Sequence, residues 1–257
     1  EEYLIDITPQ KDPILAEMEV RAKEMDFPIV GPLVGRLLHQ LVSLTGSRKI
    51  LELGSGFGYS AYWFGRALKG SGEVTLTEHS PENLTLAKDF LQRGKVSCQV
   101  QYLQGDALEI LGELGGPFDI IFNDVNKPQY PEVFRKAGSL LVQGGLFISD
   151  NVLWHGQVVD QEDPDENTRA ILEHNQLVFD SLEFDSSIIP VRDGISLSVK
   201  SDCLRMLREK MIWCASYVWS SLNLAVTVGK GASQVGFWET RRSLHLQEEF
   251  SFDPREG

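Results

Sequence analysis

Two groups of residues have types and spacings that could do chemistry. The first is Glu52-Leu53-Gly54-Ser55-Gly56-Phe57-Gly58-Tyr59-Ser60, a carboxylate followed by three glycines at alternate positions. Glycines in such a turn let the backbone approach a ligand closely, because no Cβ intervenes. Glu78 follows about 20 residues on, where an acidic side chain can accept from both ribose hydroxyls of a bound nucleoside. A tight strand-to-helix connection ending in a charged residue would use the same residues, so the glycines alone do not decide. The second group is Asp124-Val125-Asn126-Lys127 together with Asp150-Asn151. Asp124, Asp150 and Asn151 offer three hard oxygen donors, which suit Mg²⁺, Mn²⁺ or Ca²⁺ rather than zinc. An octahedral ion held by three protein ligands keeps three positions open, enough for two substrate oxygens and a water.

The glycine turn also discriminates between nucleoside ligands. A dinucleotide fingerprint wants a third glycine at the sixth position, so that a pyrophosphate can sit on the helix N-terminus. Here the sixth position is Tyr59, and a carboxylate, Glu52, precedes the first glycine. That carboxylate would repel a pyrophosphate but suits a ligand carrying an ammonium and a sulfonium, as S-adenosylmethionine does. Gly105-Asp106-Ala107 is placed to edge the adenine, with Asp106 accepting from its amino group. A plain helix N-cap by Asp106 explains the same residues equally well.

The elements that must position these groups are legible as an alternation. Candidate strands are 49–53, 74–78, 100–104, 119–123 and 146–149, with helical patterns at 59–68, 82–93, 107–114 and 130–141 between them. An amphipathic helix over 33–44 precedes the first strand, with Leu33, Leu37, Leu41 and Leu44 on one stripe. Residues 151–165 read as a loop broken by His155-Gly156 and Asp163-Pro164, and a helix over 166–179 follows. Strands near 182–189 and 194–199 are separated by Pro190 and Asp193-Gly194, which is turn chemistry for an antiparallel pair. Five parallel strands plus this hairpin make a doubly wound α/β sheet, whose ligands sit beyond the strand carboxyl ends. Both chemical groups stand at those ends.

The chain carries 24 Lys+Arg against 37 Asp+Glu over 257 residues, a net charge of −13. That balance argues against nucleic acid as a partner, since a phosphate backbone calls for a basic face. Residues 201–257 hold seven basic and seven acidic side chains, so the whole acidic excess lies in 1–200. This shift divides the chain into a domain over 1–200 and an extension over 201–257 to which no chemistry is assigned. Within the extension, residues 211–229 lack charge, at a length borderline for a membrane helix but with five Ser, Thr and Asn residues. An added helix, or a tail created by frameshift or read-through, fits that composition better. Cys98, Cys203 and Cys214 fit no zinc spacing and cannot all pair, which points to a reducing compartment and a cytoplasmic protein. No signal peptide is visible at the start, and the missing initiator Met suggests a trimmed or incomplete beginning.

Residues 28–200 resemble the cation-dependent class I O-methyltransferases, the family of the caffeoyl-coenzyme A and catechol enzymes. The resemblance rests on 52–60, on Asn123-Asp124-Val125-Asn126-Lys127, on Asp150-Asn151-Val152-Leu153-Trp154 and on Pro190-Val191-Arg192-Asp193-Gly194. It implies a Rossmann-like, mostly parallel seven-stranded sheet with an antiparallel last strand. It also implies that Glu52, Gly54 and Ser60 hold the methionine part of the cofactor, Glu78 its ribose, and the backbone at Val30-Gly31 the same ligand. Asp124, Asp150 and Asn151 match the family's metal ligands, with Asp124 beside the methyl donor. Lys127 matches its general base, and Trp154 a substrate-side tryptophan. The activity implied is methyl transfer to a small acceptor with vicinal hydroxyls, with monomer or homodimer left open. Three departures stand out. Asn126 replaces a carboxylate, Ser196 occupies the place of a glutamate near the catechol hydroxyl, and no plant-type coenzyme A recognition loop is evident.

Each site residue also has a plainer reading. Lys127 could be a solvated lysine or one paired with Asp124, and to accept a proton it must be neutral, which nearby positive charges favour. Trp154 could be a core or dimer-contact aromatic. Two rival functions share the fold: a nicotinamide-dependent oxidoreductase, and an inactive nucleoside-binding module in which Lys127 would lie buried away from Asp124.

Overall fold

The computed structural model describes residues 1–8, 11–70, 72–159 and 163–201. Three helices come first: α1 (Glu2–Ile7), α2 (Pro13–Glu24) and α3 (Gly31–Thr45). Then follow β1 (Lys49–Leu53), α4 (Tyr59–Leu68), β2 (Glu73–Glu78), α5 (Pro81–Arg93), β3 (Gln99–Gln104), α6 (Ala107–Glu113) and β4 (Phe118–Asn123). The chain continues through α7 (Tyr130–Ala137), β5 (Leu141–Ser149), α8 (Glu166–Asp180), β6 (Phe184–Ile189) and β7 (Ile195–Lys200). Among the described residues, seven strands form one sheet in the order β3-β2-β1-β4-β5-β7-β6. Only β7 runs against its neighbours, as the resemblance implies.

Alternation along the strands splits the core in two. Ile50, Val74, Ile120, Phe122 and Ile148 pack with α2 to α5 on one face, where Phe64 and Phe122 meet edge-on at 5.7 Å. Leu51, Leu53, Ile121 and Phe147 face the other way, against Tyr130, Val133, Phe134 and Ile171 of α7 and α8. Truncating a ring such as Phe122 to Ala costs about 3–5 kcal/mol.

Two elements differ from the sequence reading. The helix from residue 130 stops at Ala137, and β5 starts at Leu141 rather than 146. Gly144-Gly145 looks like a turn, yet the strand runs through it with a register irregularity: Phe118 pairs with Leu141, whereas Ile120 pairs with Leu146. Helices α1 and α2 lie ahead of any element the pattern revealed. Among the described residues, no helix is long and apolar enough to cross a membrane. The apolar stretch at 211–229 and most of the proposed extension lie outside the described residues.

Candidate active site

Strand register brings the chemical groups together. Thr77, Leu53, Asn123 and Ser149 form one paired row across β2, β1, β4 and β5. The next residue along the chain from each is Glu78, Gly54, Asp124 or Asp150, so all four stand side by side at the carboxyl end of the sheet. The Asp124 N–H donates to the Leu53 carbonyl at 2.9 Å and the Asp150 N–H to the Asn123 carbonyl at 3.1 Å, extending the ladder to the tips. They open onto one cleft of about 1930 Å³, lined also by Val30, Gly31, Ser60, Asp106, Ala107, Lys127, Asn151 and Trp154. That is ample for a nucleoside-sized ligand and a small acceptor together.

Gly54 is required by this closeness. Its φ is +81°, and a Cβ there would lie 2.5 Å from the Asp124 carbonyl oxygen. Behind the turn, Glu52 is fully buried. One of its oxygens accepts from the Ser60 hydroxyl, and Oε2 has no partner. Burial pushes this carboxyl up to about 8, against the Ser60 hydrogen bond and with added repulsion from Asp124 and Glu78. A buried acid with an unmet acceptor is unfavourable as it stands. Tyr59, in place of a third glycine, is buried and donates its hydroxyl to Glu19 Oε1 at 2.7 Å.

Glu78 Oε1 accepts from the Ser80 N–H at 2.8 Å and Asn83 Nδ2 at 3.3 Å, which fixes the carboxylate at the cleft wall. Asp106 does cap its helix: Oδ1 accepts from the N–H groups of Leu108 and Glu109 at 2.9 and 3.1 Å. Its Oδ2 accepts from Gln129 Nε2 at 2.7 Å. The Gln129 bond, with these backbone donors, holds the Asp106 carboxyl below its ordinary range.

At the other end of the cleft, Lys127 Nζ donates to Tyr130 Oη at 2.6 Å, Asn151 Oδ1 at 2.8 Å and Asp124 Oδ1 at 3.2 Å. The lysine side chain is 11% exposed, so it is neither a solvated surface group nor buried away from Asp124. Asp150 is 3% exposed, and its Oδ1 accepts from the Asn151 N–H at 2.8 Å. Burial and the Asp124 charge push the Asp150 carboxyl up to about 7. Asp124 and Asn151 thus already point oxygens at one cation, the lysine ammonium, while Asp150 stands within their field. Among the described residues there is no grouping of three or more His, Cys, Asp or Glu side chains that could hold a metal. The set here is two carboxylates and an amide, all hard oxygen donors of the kind magnesium and calcium take.

Trp154 combines two of its readings, since it is half-buried against the α7–α8 side of the core and also lines the cleft. Its ring centre lies 5.7 Å from Lys127 Nζ. Tyr130 is a residue that motif reasoning missed. It is fully buried, and its hydroxyl accepts from Lys127 and donates to the Asp150 carbonyl at 3.0 Å. Only its place three residues after Lys127, at the start of α7, could have flagged it.

The O-methyltransferase family model matches residues 4–201. A catechol O-methyltransferase of Niastella koreensis is 31% identical, over 77% of this chain and 94% of that protein. An O-methyltransferase from Bacillus cereus, solved in complex with SAH, superposes with a TM-score of 0.71 at 29% identity, covering 78% of this chain and 96% of that one. An O-methyltransferase of Streptomyces achromogenes involved in tomaymycin synthesis, solved in complex with SAM, gives 0.72 at 30% identity, covering 78% and 95%. With that fold and this cleft, the chain belongs to the S-adenosylmethionine-dependent class I O-methyltransferase family.

Proposed function

We propose that this protein methylates one hydroxyl of a small catechol-like acceptor, with a divalent cation held by Asp124, Asp150 and Asn151. The observation that carries the reading is the convergence of Asp124 and Asn151 oxygens on one positive nitrogen within 3.2 Å. The likeness to a catechol O-methyltransferase at 31% identity supports the acceptor class. The family match over residues 4–201 supports a methyltransferase domain over 1–200.

When bound, adenosylmethionine supplies the activated methyl group, and Mg²⁺, Mn²⁺ or Ca²⁺ supplies the charge that favours a phenolate over a phenol. The residues do the rest. Glu52, held by Ser60, binds the ammonium through its unpartnered oxygen. Gly54 lets the backbone approach, and Val30-Gly31 borders the same cleft at the start of α3. Glu78 takes the ribose hydroxyls, while Asp106 and Ala107 border the adenine. Lys127, in its neutral form once a metal ion takes its place at the Asp124 and Asn151 oxygens, would take the acceptor hydroxyl's proton at Nζ, with Tyr130 fixing where that nitrogen sits. Trp154 forms the wall against which an aromatic acceptor packs, excluding water from the reacting oxygen.

The test is transfer of a labelled methyl group from adenosylmethionine to a panel of catechols, hydroxycinnamoyl esters and matched monophenols, with Mg²⁺ present. Vicinal diols should accept one methyl each and monophenols none. Equal labelling of monophenols would remove the chelated-diol reading, and nicotinamide reduction without methyl transfer would remove the activity.

A further inference from the structure

The hydrogen bond from Gln129 to Asp106 serves no step derived above, yet it joins two walls of the cleft. Asp106 follows β3 and Gln129 follows β4, and in the sheet order β2 and β1 lie between those strands. At about 4.8 Å per strand, the tips of β3 and β4 stand about 14 Å apart. One side-chain bond of 2.7 Å nonetheless links the segments that leave them. Asp106 and Gln129 line the same cleft as Gly54 and Glu78, which stand at the two tips in between.

Its partners fix which way the glutamine amide faces. Asp106 Oδ1 is taken by the N–H groups of Leu108 and Glu109, and Oδ2 accepts from Gln129 Nε2. An ionised carboxylate only accepts, so the amide must turn its NH2 group to Asp106 and its oxygen away. The backbone is pinned as well. The Gln129 N–H donates to the Asn126 carbonyl at 2.9 Å, closing the 3₁₀ turn Lys127–Gln129. The side chain is half-buried in the cleft wall, and among the described residues no donor reaches its Oε1.

A purine seated between Glu78 and Asp106 therefore meets two acceptors of unequal freedom. Both Asp106 oxygens are already engaged, so that carboxylate takes a further donor only by sharing. Gln129 Oε1 is unengaged, and the Asp106 bond sets its direction.

We propose that Gln129 Oε1 accepts from the exocyclic amine of the cofactor's adenine, with Asp106 orienting the amide. Gln129 is then a specificity-determining residue for a 6-aminopurine cofactor. Asp106 is a positioning residue rather than the amine's own partner. Both roles deepen the reading under "Proposed function" and rest on the nucleoside placement given there.

Calorimetry compares S-adenosylhomocysteine with its 6-deamino analogue, in which hydrogen replaces the amine and every ring nitrogen is kept. The proteins are the intact chain, Gln129→Met and Gln129→Glu. In the intact protein the affinity ratio, amine over hydrogen, should be about tenfold, as for one net hydrogen bond. In Gln129→Met it falls to about one, while Gln129→Glu, which keeps an acceptor, keeps a severalfold preference. Disturbed packing alone would weaken both ligands equally and leave the ratio standing. A ratio near one in the intact protein overturns the proposal. So does a tenfold ratio that survives Gln129→Met, which would give the amine to Asp106. Should neither ligand bind the intact protein, the nucleoside placement itself fails, and the assignment of Gln129 falls with it.

Discussion

Glu52 offers the sharpest test of how the cofactor is held. Its carboxyl is pushed up to about 8 in the free protein by burial, so about a tenth of molecules carry it ionised at pH 7 and about a hundredth at pH 6. A ligand ammonium selects the ionised form, so apparent affinity scales with that fraction. Adenosylmethionine should therefore bind about tenfold more tightly at pH 7 than at pH 6, releasing nearly one proton per ligand. Glu52→Gln keeps the shape and the Ser60 partner but removes the charge, at a cost of about 1.5–3 kcal/mol for a charged hydrogen bond. Calorimetric titration in two buffers of different ionisation heat, with chelator present, reads both quantities. The intact protein should release about 0.9 proton at pH 7 and the variant none. Stability gives a second readout with a definite sign. A carboxyl raised from 4.5 to about 8 stabilises the fold below 4.5, and that contribution is lost as pH rises through 8. The loss is up to about 5 kcal/mol, so ligand-free Glu52→Gln should outlast the parent in urea at pH 8. Proton-neutral, pH-independent binding, or a glutamine variant that binds as tightly as the parent, would refute this account of the pocket.

Further predictions follow from single groups. His174 is fully buried among Tyr130, Phe134 and Phe147, and burial depresses its imidazole to about 4. Against an unfolded value of 6.5, stability should fall as pH drops below 6.5, reaching a deficit of about 3 kcal/mol below 4. His174→Phe should flatten that part of the urea-unfolding profile, and an unchanged acid limb would contradict it. Tyr130→Phe removes the donor to the Asp150 carbonyl and one acceptor for Lys127. We expect about 1–3 kcal/mol lost in unfolding together with a lower kcat, whereas unaltered turnover would deny the tyrosine its positioning role. Gly54→Ala should cost at least tenfold in adenosylmethionine affinity by calorimetry, since its Cβ would meet the Asp124 carbonyl at 2.5 Å. Normal binding would mean that the two strand tips need not be so close.

How much could be read in advance depended on whether a residue's neighbours in space were also its neighbours in pattern. β1 is found at its expected bounds because Ile50, Leu51 and Leu53 are buried on both faces of a short stretch that stops at a glycine. The strand-tip positions of Asp124 and Asp150 followed from the same logic. Helix α2 went unread although Asp12-Pro13 is a start signal, with Asp12 accepting from the Ile14 N–H at 3.0 Å. Its buried face is only Leu15, Met18 and Ala22, while Val20 is exposed, so the apolar stripe is diluted. The first half of β5 was hidden because Gly144-Gly145 resembles a turn when its pairing partner is unknown. Tyr130 and His174 carry no motif of their own. Their surroundings come from tertiary packing: an ammonium and an aromatic cage. The double reading of Asp106 could not be resolved by spacing, because a cap and an adenine contact would call for the same carboxylate; the structure shows the cap on Oδ1 and a bond from Gln129 on Oδ2.

The cation reading rests on Asp124, Asp150 and Asn151 standing at adjacent strand tips, with oxygens of Asp124 and Asn151 on one ammonium. The direct measurement is methyl transfer to a catechol after exhaustive chelation, with Mg²⁺ then added back, in the parent and in Asp150→Asn. The parent should fall silent with chelator and recover fully with Mg²⁺, while Asp150→Asn should require far more metal or fail to recover. Turnover that persists through chelation, or a Mg²⁺ response identical in the two proteins, would contradict the metal site.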